Sequence, residues 1–201
     1  MSKSILLASA SPRRRELLER IGISIEVQAA DVDESVALGE EAVTYATRVA
    51  NSKAARIAGT HPDRWVLAAD TVVEVSGTPM GKAADRQEAE GMLRALRGTS
   101  HRVTTAVALH RTGARLHTTS MAVTTEVSMR DFSDEEMQDY LSNTEWQGKA
   151  GAYAVQGMAA AFVTGVRGSI SNVIGLPLAE VVTLLADHEA AKPAYQLGKP
   201  A

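Results

Sequence analysis

The sequence predicts an α/β protein built on a sheet, and three observations carry that prediction. Apolar spacing switches repeatedly between the short period of strands and the longer period of helices. The two kinds of segment are interleaved along the chain, the order expected when helices pack on a sheet. The composition, 45% hydrophobic but only 4% aromatic, describes a core of Ala, Val, Leu, Ile and Met that lets helices lie close on strands. At 201 residues, with no repeat, low-complexity segment or composition break, residues 1–201 are expected to form a single domain, or two closely packed lobes of one.

Residues 4–8 read as a short buried strand. Ser11-Pro12 then opens a helix, with Ser as cap, Pro at the first helical position, and Leu17, Leu18 and Ile21 inward. A second strand leads into an acidic loop with Asp31, Asp33 and Glu34. Residues 42–58 carry a helical apolar stripe of Val43, Ala46, Ala50, Ala54 and Ile57. Residues 65–75 form an apolar, β-rich run broken by Asp70 and ended by Gly77 and Pro79. Asp85 and Glu88 cap a helix showing Ala89, Met92, Leu93 and Leu96, which Gly98 stops.

The period then shortens. Val103, Thr105, Val107 and Leu109 alternate, Thr112-Gly113 turns the chain, and Thr119, Met121, Val123, Thr125 and Val127 alternate back as a hairpin. Ser133 and Glu136 form a capping box for a helix with Met137, Tyr140 and Leu141. The glycine-rich stretch from Gly148 to Gly175 holds one apolar strand near residues 160–166. Pro177 starts a last helix with Leu178, Val181, Val182 and Leu185 inward, and the tail from Lys192 is expected to fray.

Composition also limits function. The chain has no cysteine, which rules out disulfides, thiolate metal sites and cysteine nucleophiles, and suits a reducing cytoplasm. A net charge of -3 argues against general binding of nucleic acid, which needs a basic surface. No apolar stretch approaches a membrane span, and the run Ile5-Leu6-Leu7-Ala8 is too short for a signal segment and is followed by arginines.

Several residues suggest chemistry. Arg13, Arg14 and Arg15 fall in the first turn of a helix, where the macrodipole is already positive, so an anion such as a polyphosphate would relieve them; a solvated basic face is the alternative. Asp70 follows Val66-Leu67-Ala68-Ala69, and a carboxylate among buried neighbours needs a partner or a metal unless it only caps a turn. The oxygens of Asp31, Asp33 and Glu34 suit a hard divalent cation, or form a solvated loop. Lys53 shares a helical row with Val49 and Ile57, and the default for its ammonium is to reach solvent. Lys82 sits beside Gly81 just past a turn, where Gly permits close approach to a ligand but a lone lysine is usually a surface residue, and Gln156 lies in a small-residue stretch able to line a narrow pocket, or is structural. The run Gly77-Thr78-Pro79-Met80-Gly81-Lys82-Ala83 is one residue short of a Walker loop.

In order along the chain these pieces resemble the Maf family. The resemblance begins at Leu7-Ala8-Ser9-Ala10-Ser11-Pro12-Arg13-Arg14 and runs through Ala69-Asp70-Thr71-Val72-Val73, Gly81-Lys82, Gly98 and His101-Arg102-Val103. It continues in Lys149-Ala150-Gly151-Ala152-Tyr153 and Gln156-Gly157, and ends at Asn172-Val173-Ile174-Gly175-Leu176-Pro177-Leu178. It implies an extended mixed sheet flanked by helices in two lobes, similar to the inosine triphosphate pyrophosphatases, with the site in the cleft between them. It also implies a pyrophosphatase that takes a nucleoside triphosphate as substrate and uses a divalent metal, Mg²⁺ or Mn²⁺.

By position in the motifs, Ser9, Arg13, Arg14, Glu34, Lys53, Asp70, Lys82 and Gln156 match the family's functional residues. Asp70 is then the expected proton acceptor, with Glu34 and Asp70 on the metal. Arg14, Thr71 and Gln156 match positions that separate a dTTP/UTP class from a 7-methyl-GTP class, and all three resemble the former. The chain departs from the family at Ala83-Ala84, where Pro usually follows the lysine, and at Asn51-Ser52. Alternatives are a pyrophosphatase for another nucleotide and a non-enzymatic regulator of septum formation. The sequence leaves the oligomeric state open, a homodimer included.

Overall fold

In a computed structural model of the chain, which describes residues 4–37 and 39–194, seven strands form one mixed sheet. The elements of the first half are β1 (Ile5–Leu7), α1 (Pro12–Arg20), β2 (Ile25–Val27), α2 (Ala42–Ala58), β3 (Val66–Val75), β4 (Thr78–Met80) and α3 (Arg86–Leu96). The second half holds β5 (Ser100–Arg111), β6 (His117–Met129), α4 (Asp134–Leu141), a 3₁₀ turn (Met158–Phe162), β7 (Val163–Arg167), α5 (Ile170–Ile174) and α6 (Leu178–Asp187). The sheet order is β2-β1-β3-β5-β6-β7, with β4 on β3. β1 runs parallel to β2 and β3, and every other pairing is antiparallel.

The organising feature is the split edge of β3. One edge pairs with β5 from Val66 to Glu74. The other pairs with β1 only at Val66 and Leu67, and with β4 only from Val73 to Val75. Between them, among the described residues, no strand covers the edge at residues 68–72. Asp70 and Thr71 lie in that gap, at the carboxyl end of β1, where open α/β sheets characteristically bind ligands.

Three apolar clusters surround the sheet. α2 packs on one face through Tyr45, Ala46, Val49, Ala50 and Ala54, against Ala68, Val72, Ala106 and Ala108. On the other face, Leu17 and Leu18 of α1 and Val181 and Leu185 of α6 cover Leu7, Leu67 and Leu109. The third cluster gathers α3, α4 and the 3₁₀ turn around Val73, Val103 and Val127.

Most elements fall where periodicity expects them, and the differences have physical causes. β3 is not broken by Asp70, because Asp70 keeps its register with Ala106. Ser76 and Gly77, both at positive φ, turn the chain so that Thr78–Met80 returns as β4 instead of ending the strand. Ser11 sits at the N-cap of α1 without a side-chain cap bond. In α3 the Asp85 carboxylate accepts the Glu88 N–H, but the Glu88 carboxylate accepts from Ala84 rather than closing the box. The Ser133–Glu136 box is complete.

Val43 is exposed and Tyr45 takes its place in the stripe of α2. The apolar stretch at 160–166 is half 3₁₀ turn and half β7, and α5 is a short helix that the glycine-rich reading does not anticipate. Of the tail, Ala194 N–H bonds to the Ile21 carbonyl at 2.9 Å, so the part just after Lys192 is docked rather than frayed. Residues 195–201 lie outside the described residues.

Candidate active site

The gap in β3 opens into a cleft of about 380 Å³, within the usual size range of small-molecule sites. Ser9, Arg13, Arg14, Glu34, Lys53, Asp70, Thr71, Lys82 and Gln156 all line it. The sequence places these residues on six separate segments, and the fold brings every one of them to the same cavity.

At its floor, charges alternate in a chain. Asp70 points to the α2 side of β3, and Lys53 of α2 lies in the helical row facing it. Lys53 Nζ is 2.8 Å from Asp70 Oδ1 and 2.8 Å from Glu34 Oε1. Glu34 Oε2 in turn lies 3.0 Å from Lys82 Nζ. The Lys53 ammonium therefore does not run out to solvent, the default for a long side chain; it and Asp70 are both about 7% exposed. Removing one partner of so buried a pair typically costs about 3–5 kcal/mol.

Burial works to raise the Glu34 pKa, but hydrogen bonds and charge from Lys53 and then Lys82 outweigh it and hold the carboxyl below its ordinary value. The Tyr45 hydroxyl donates to the Glu34 carbonyl at 2.9 Å and fixes that loop. Burial, reinforced by the charges of Asp70 and Glu34, pushes the Tyr45 pKa up to about 12, so the hydroxyl remains a donor. Of the acidic loop only Glu34 reaches the cleft, while Asp31 and Asp33 are exposed.

The three arginines of α1 have different fates, because successive helical residues point about 100° apart. Arg15 pairs with Glu19 on the surface. Arg13 donates to the Ile174 carbonyl at 3.2 Å and leaves the rest of its fork toward the cleft. Arg14 is buried and tied down. Its Nε–H donates to Gly175 O at 2.9 Å, Nη1 to Ser9 Oγ at 3.0 Å and Ala69 O at 2.7 Å, and Nη2 to Thr71 Oγ1 at 3.0 Å.

Four of its five N–H groups are thus engaged, so at most one remains for a ligand. The Ala69 carbonyl is one that the split edge of β3 leaves without a strand partner, and Arg14 satisfies it. Thr71 Oγ1 continues this network to Thr105 Oγ1 at 2.9 Å, and Thr105 donates to the Asn172 carbonyl at 3.0 Å. Arg14 is thus a tied-down guanidinium rather than the free cation that the first turn of a helix suggests, and it still lines the cleft.

The far wall of the cleft is mostly apolar, from Val73, Val103, Tyr153, Val155 and Ile174, with Gln156 at its edge. Gln156 is exposed, and its amide makes no hydrogen bond among the described residues. Behind the wall, the Tyr153 hydroxyl and His101 Nε2 are 2.8 Å apart. Burial pushes His101 down to about 4, so the imidazole is neutral near pH 7.

Sequence reasoning singled out neither Lys149, Tyr45 nor the His101–Tyr153 pair as site residues. Lys149 lines the cleft near Arg13. Burial and then the Arg13 charge lower its pKa, as burial and then the Arg14 charge lower that of Arg13, a repulsion that an anion would relieve. The signal for Lys149 was its place at the head of the Lys149-Ala150-Gly151-Ala152-Tyr153 motif. Tyr45 gave none, since a tyrosine on a helix reads as core.

The two carboxylates also fit a hard cation. Asp70 and Glu34 converge on a single ammonium, so their oxygens already face one cationic position. Among the described residues no group of three or more His, Cys, Asp or Glu could hold a metal. Two carboxylates without further protein ligands suit Mg²⁺, which usually keeps waters and takes substrate phosphates.

Fold and site together define an α/β protein with a cation-lined cleft at a split in its sheet, suited to a polyanion. The chain belongs to the Maf family, whose profile, described as Maf-like protein, matches residues 4–188. Similar proteins include the dTTP/UTP pyrophosphatase of Myxococcus xanthus, 49% identical over 181 residues, with 90% of each chain covered. That of Anaeromyxobacter dehalogenans is 48% identical over 92% of this chain and 94% of its own. The dTTP/UTP pyrophosphatase of Cereibacter sphaeroides is 45% identical over 96% of this chain and 98% of its own. Among solved structures, the Staphylococcus aureus Ham1 protein matches 63% of this chain and 72% of its own at 18% identity, with a TM-score of 0.43. No helix of the described residues is long and apolar enough to cross a membrane.

Proposed function

We propose that the protein is a nucleoside triphosphate pyrophosphatase that hydrolyses dTTP and UTP to the monophosphate and pyrophosphate. The observation that carries this reading is the pair Asp70 and Glu34 converging on Lys53 in the gap of β3, with Arg13, Lys82 and Lys149 around it. Family membership and the names of relatives at 44–49% identity support the choice of substrate. The residues act as one catalytic unit across the chain, and a role in nucleotide turnover favours a cytoplasmic enzyme.

In this mechanism the triphosphate lies between the α1 end of the cleft and Lys82, where Arg13, Lys53, Lys82 and Lys149 neutralise its charge. Asp70 holds a water against the α-phosphorus and accepts its proton as the new O–P bond forms. Lys53 grips Asp70 through Oδ1 and fixes the carboxylate's orientation. The bond from the α-phosphorus to the bridging oxygen breaks, and pyrophosphate leaves. Arg14 holds Ser9, Ala69 and Thr71 in place around the reacting group. A divalent ion, Mg²⁺ or Mn²⁺, would be held by Asp70 and Glu34 and would supply charge neutralisation on the phosphates.

At the other end, uracil and thymine present an N3–H donor between two carbonyl acceptors. The Gln156 amide offers one acceptor and one donor to meet them.

The test is product analysis with UTP and Mg²⁺. UMP and pyrophosphate are expected, and chelation should stop their formation. UDP with orthophosphate would mean attack at the γ-phosphorus and would overturn the mechanism. Faster turnover of 7-methyl-GTP than of dTTP or UTP in the same panel would overturn the substrate assignment.

A further inference from the structure

The segment that presents Gln156 is held by a residue outside the cleft. Gly157 N–H bonds to the Ala154 carbonyl at 3.0 Å and closes a tight turn with Gln156 inside it. The chain then enters the 3₁₀ turn Met158–Phe162, whose first N–H groups have no partner within the turn. The Glu145 carboxylate takes two of them: Met158 N–H donates to Oε2 at 2.9 Å and Ala159 N–H to Oε1 at 3.4 Å.

Asn143 braces the same contact from both sides. Its Oδ1 accepts the Glu145 N–H at 2.7 Å, and its Nδ2 contacts Met158 Sδ at 3.4 Å. Gly157 makes the approach possible, since a Cβ built there would lie 2.1 Å from Glu145 Oε2. The carboxylate therefore sits against the backbone one residue beyond Gln156, where any side chain at 157 would push one of them aside.

We propose that Glu145 is a positioning residue for base recognition: by gripping the backbone N–H groups of Met158 and Ala159 it sets where the Gln156 amide stands in the cleft. The inference rests on the reading of Gln156 as the group that meets the base. A charged acceptor gripping two N–H groups makes a stronger anchor than a neutral one, which explains an acid at this position. Glu145 bonds the backbone at the base end and reaches the phosphate end only through its charge on Lys149, so it governs discrimination among nucleotides and the KM for the preferred ones, and leaves the chemical step at Asp70 untouched.

The test compares kcat and KM for UTP and CTP in the wild type, Glu145→Ala, Glu145→Gln, Gly157→Ala, Gln156→Ala and the double variant Glu145→Ala/Gln156→Ala. Glu145→Ala should raise the KM for UTP about tenfold with kcat nearly unchanged, and lower the UTP-to-CTP ratio of kcat/KM by a similar factor. Glu145→Gln, which keeps one acceptor oxygen, should recover part of the ratio. Gly157→Ala should reproduce the loss with Glu145 still present. Adding Glu145→Ala to Gln156→Ala should lower the ratio no further.

A Glu145 that merely supports the fold would depress UTP and CTP alike, and an unchanged ratio in Glu145→Ala would overturn the proposal. If Glu145→Ala does not fold, unchanged ratios in both Glu145→Gln and Gly157→Ala would overturn it instead. Failure of the underlying reading has a separate signature: Gln156→Ala itself would leave the ratio at the wild-type value, and the proposal would fall with it.

Discussion

At the β1 end of the cleft, Asp70, Lys53, Glu34 and Lys82 form an unbroken run of ion pairs, with Arg14 locked by four hydrogen bonds behind them. At the other end the wall is apolar and the amide of Gln156 is free among the described residues. The first arrangement organises charge in advance, which is what a reaction on phosphates needs whatever base is attached. The second leaves a polar group for the ligand to satisfy, which is how a site discriminates between bases. Damage to the ionic end should therefore fall on turnover of every nucleotide, and damage to the amide end on the choice among them.

The largest effect is expected from Asp70→Asn, which keeps the shape and removes both the proposed proton acceptor and one of the two carboxylates proposed to hold the metal. Turnover of UTP and CTP should fall together by at least about a hundredfold. Glu34 remains beside Lys53, so the variant should still fold, as circular dichroism would show. Near wild-type turnover in this variant would remove Asp70 from the mechanism and dissolve the contrast between the two ends.

A finer cut separates Arg13 from Arg14 within the ionic end. Arg14→Met leaves the carbonyls of Ala69 and Gly175 unpaired, at about 1–3 kcal/mol for each if they stay buried. A clear drop in thermal stability is expected along with lost activity. Arg13→Ala gives up one bond to the Ile174 carbonyl and a cation facing the cleft, so the KM for the triphosphate should rise about tenfold while the melting temperature stays near wild type. The reverse pattern would mean that Arg14 is the principal phosphate ligand after all.

These two arginines also mark the limit of what the sequence discloses. Asp70 was legible because a carboxylate inside an apolar run needs an explanation, and the strands and capped helices were legible from their periods. Nothing local distinguishes Arg13, Arg14 and Arg15; the rotation of a helix docked on this sheet sends one to the open cleft, one to the buried wall of that cleft and one to solvent. The destination of the Lys53 ammonium was hidden for the same reason, since its partners Glu34 and Asp70 come from a loop and a strand that only the tertiary fold brings to α2. In the glycine-rich stretch no hydrophobic period exists to follow, so α5, the 3₁₀ turn and the contacts of Glu145 became visible only in three dimensions.

Gln156→Glu probes the amide end directly. An ionised Glu loses the donor that meets a base carbonyl, a penalty of about 1–3 kcal/mol in a buried contact. kcat/KM for UTP and dTTP should fall accordingly, and relative preference should move toward 7-methyl-GTP, whose base carries positive charge. The shift should be incomplete while Arg14 and Thr71 remain. Unchanged ratios among dTTP, UTP, CTP and 7-methyl-GTP would show that Gln156 does not read the base.

Acid offers the mildest way to set the two ends against each other. Lys53 and Lys82 hold Glu34 below its ordinary carboxylate value despite its burial, so its ion pairs persist as the pH falls below neutrality. His101, behind the wall of the amide end, behaves oppositely: burial lowers its pKa from 6.5 to about 4. Above 6.5 the imidazole is neutral whether the chain is folded or unfolded, and it adds no pH dependence. As the pH falls from there toward about 4 the unfolded chain takes up a proton that the folded chain refuses, and each unit removes about 1.4 kcal/mol of stability. His110, also lowered by burial, contributes to the same window, so the share of His101 has to be isolated by substitution. His101→Gln keeps a hydrogen-bonding group for the Tyr153 hydroxyl and removes the titration. Denaturant unfolding at pH 7, 6 and 5 should therefore give a shallower loss of stability in His101→Gln than in the wild type, and identical slopes would show that His101 takes up its proton as readily in the folded protein as in the unfolded chain.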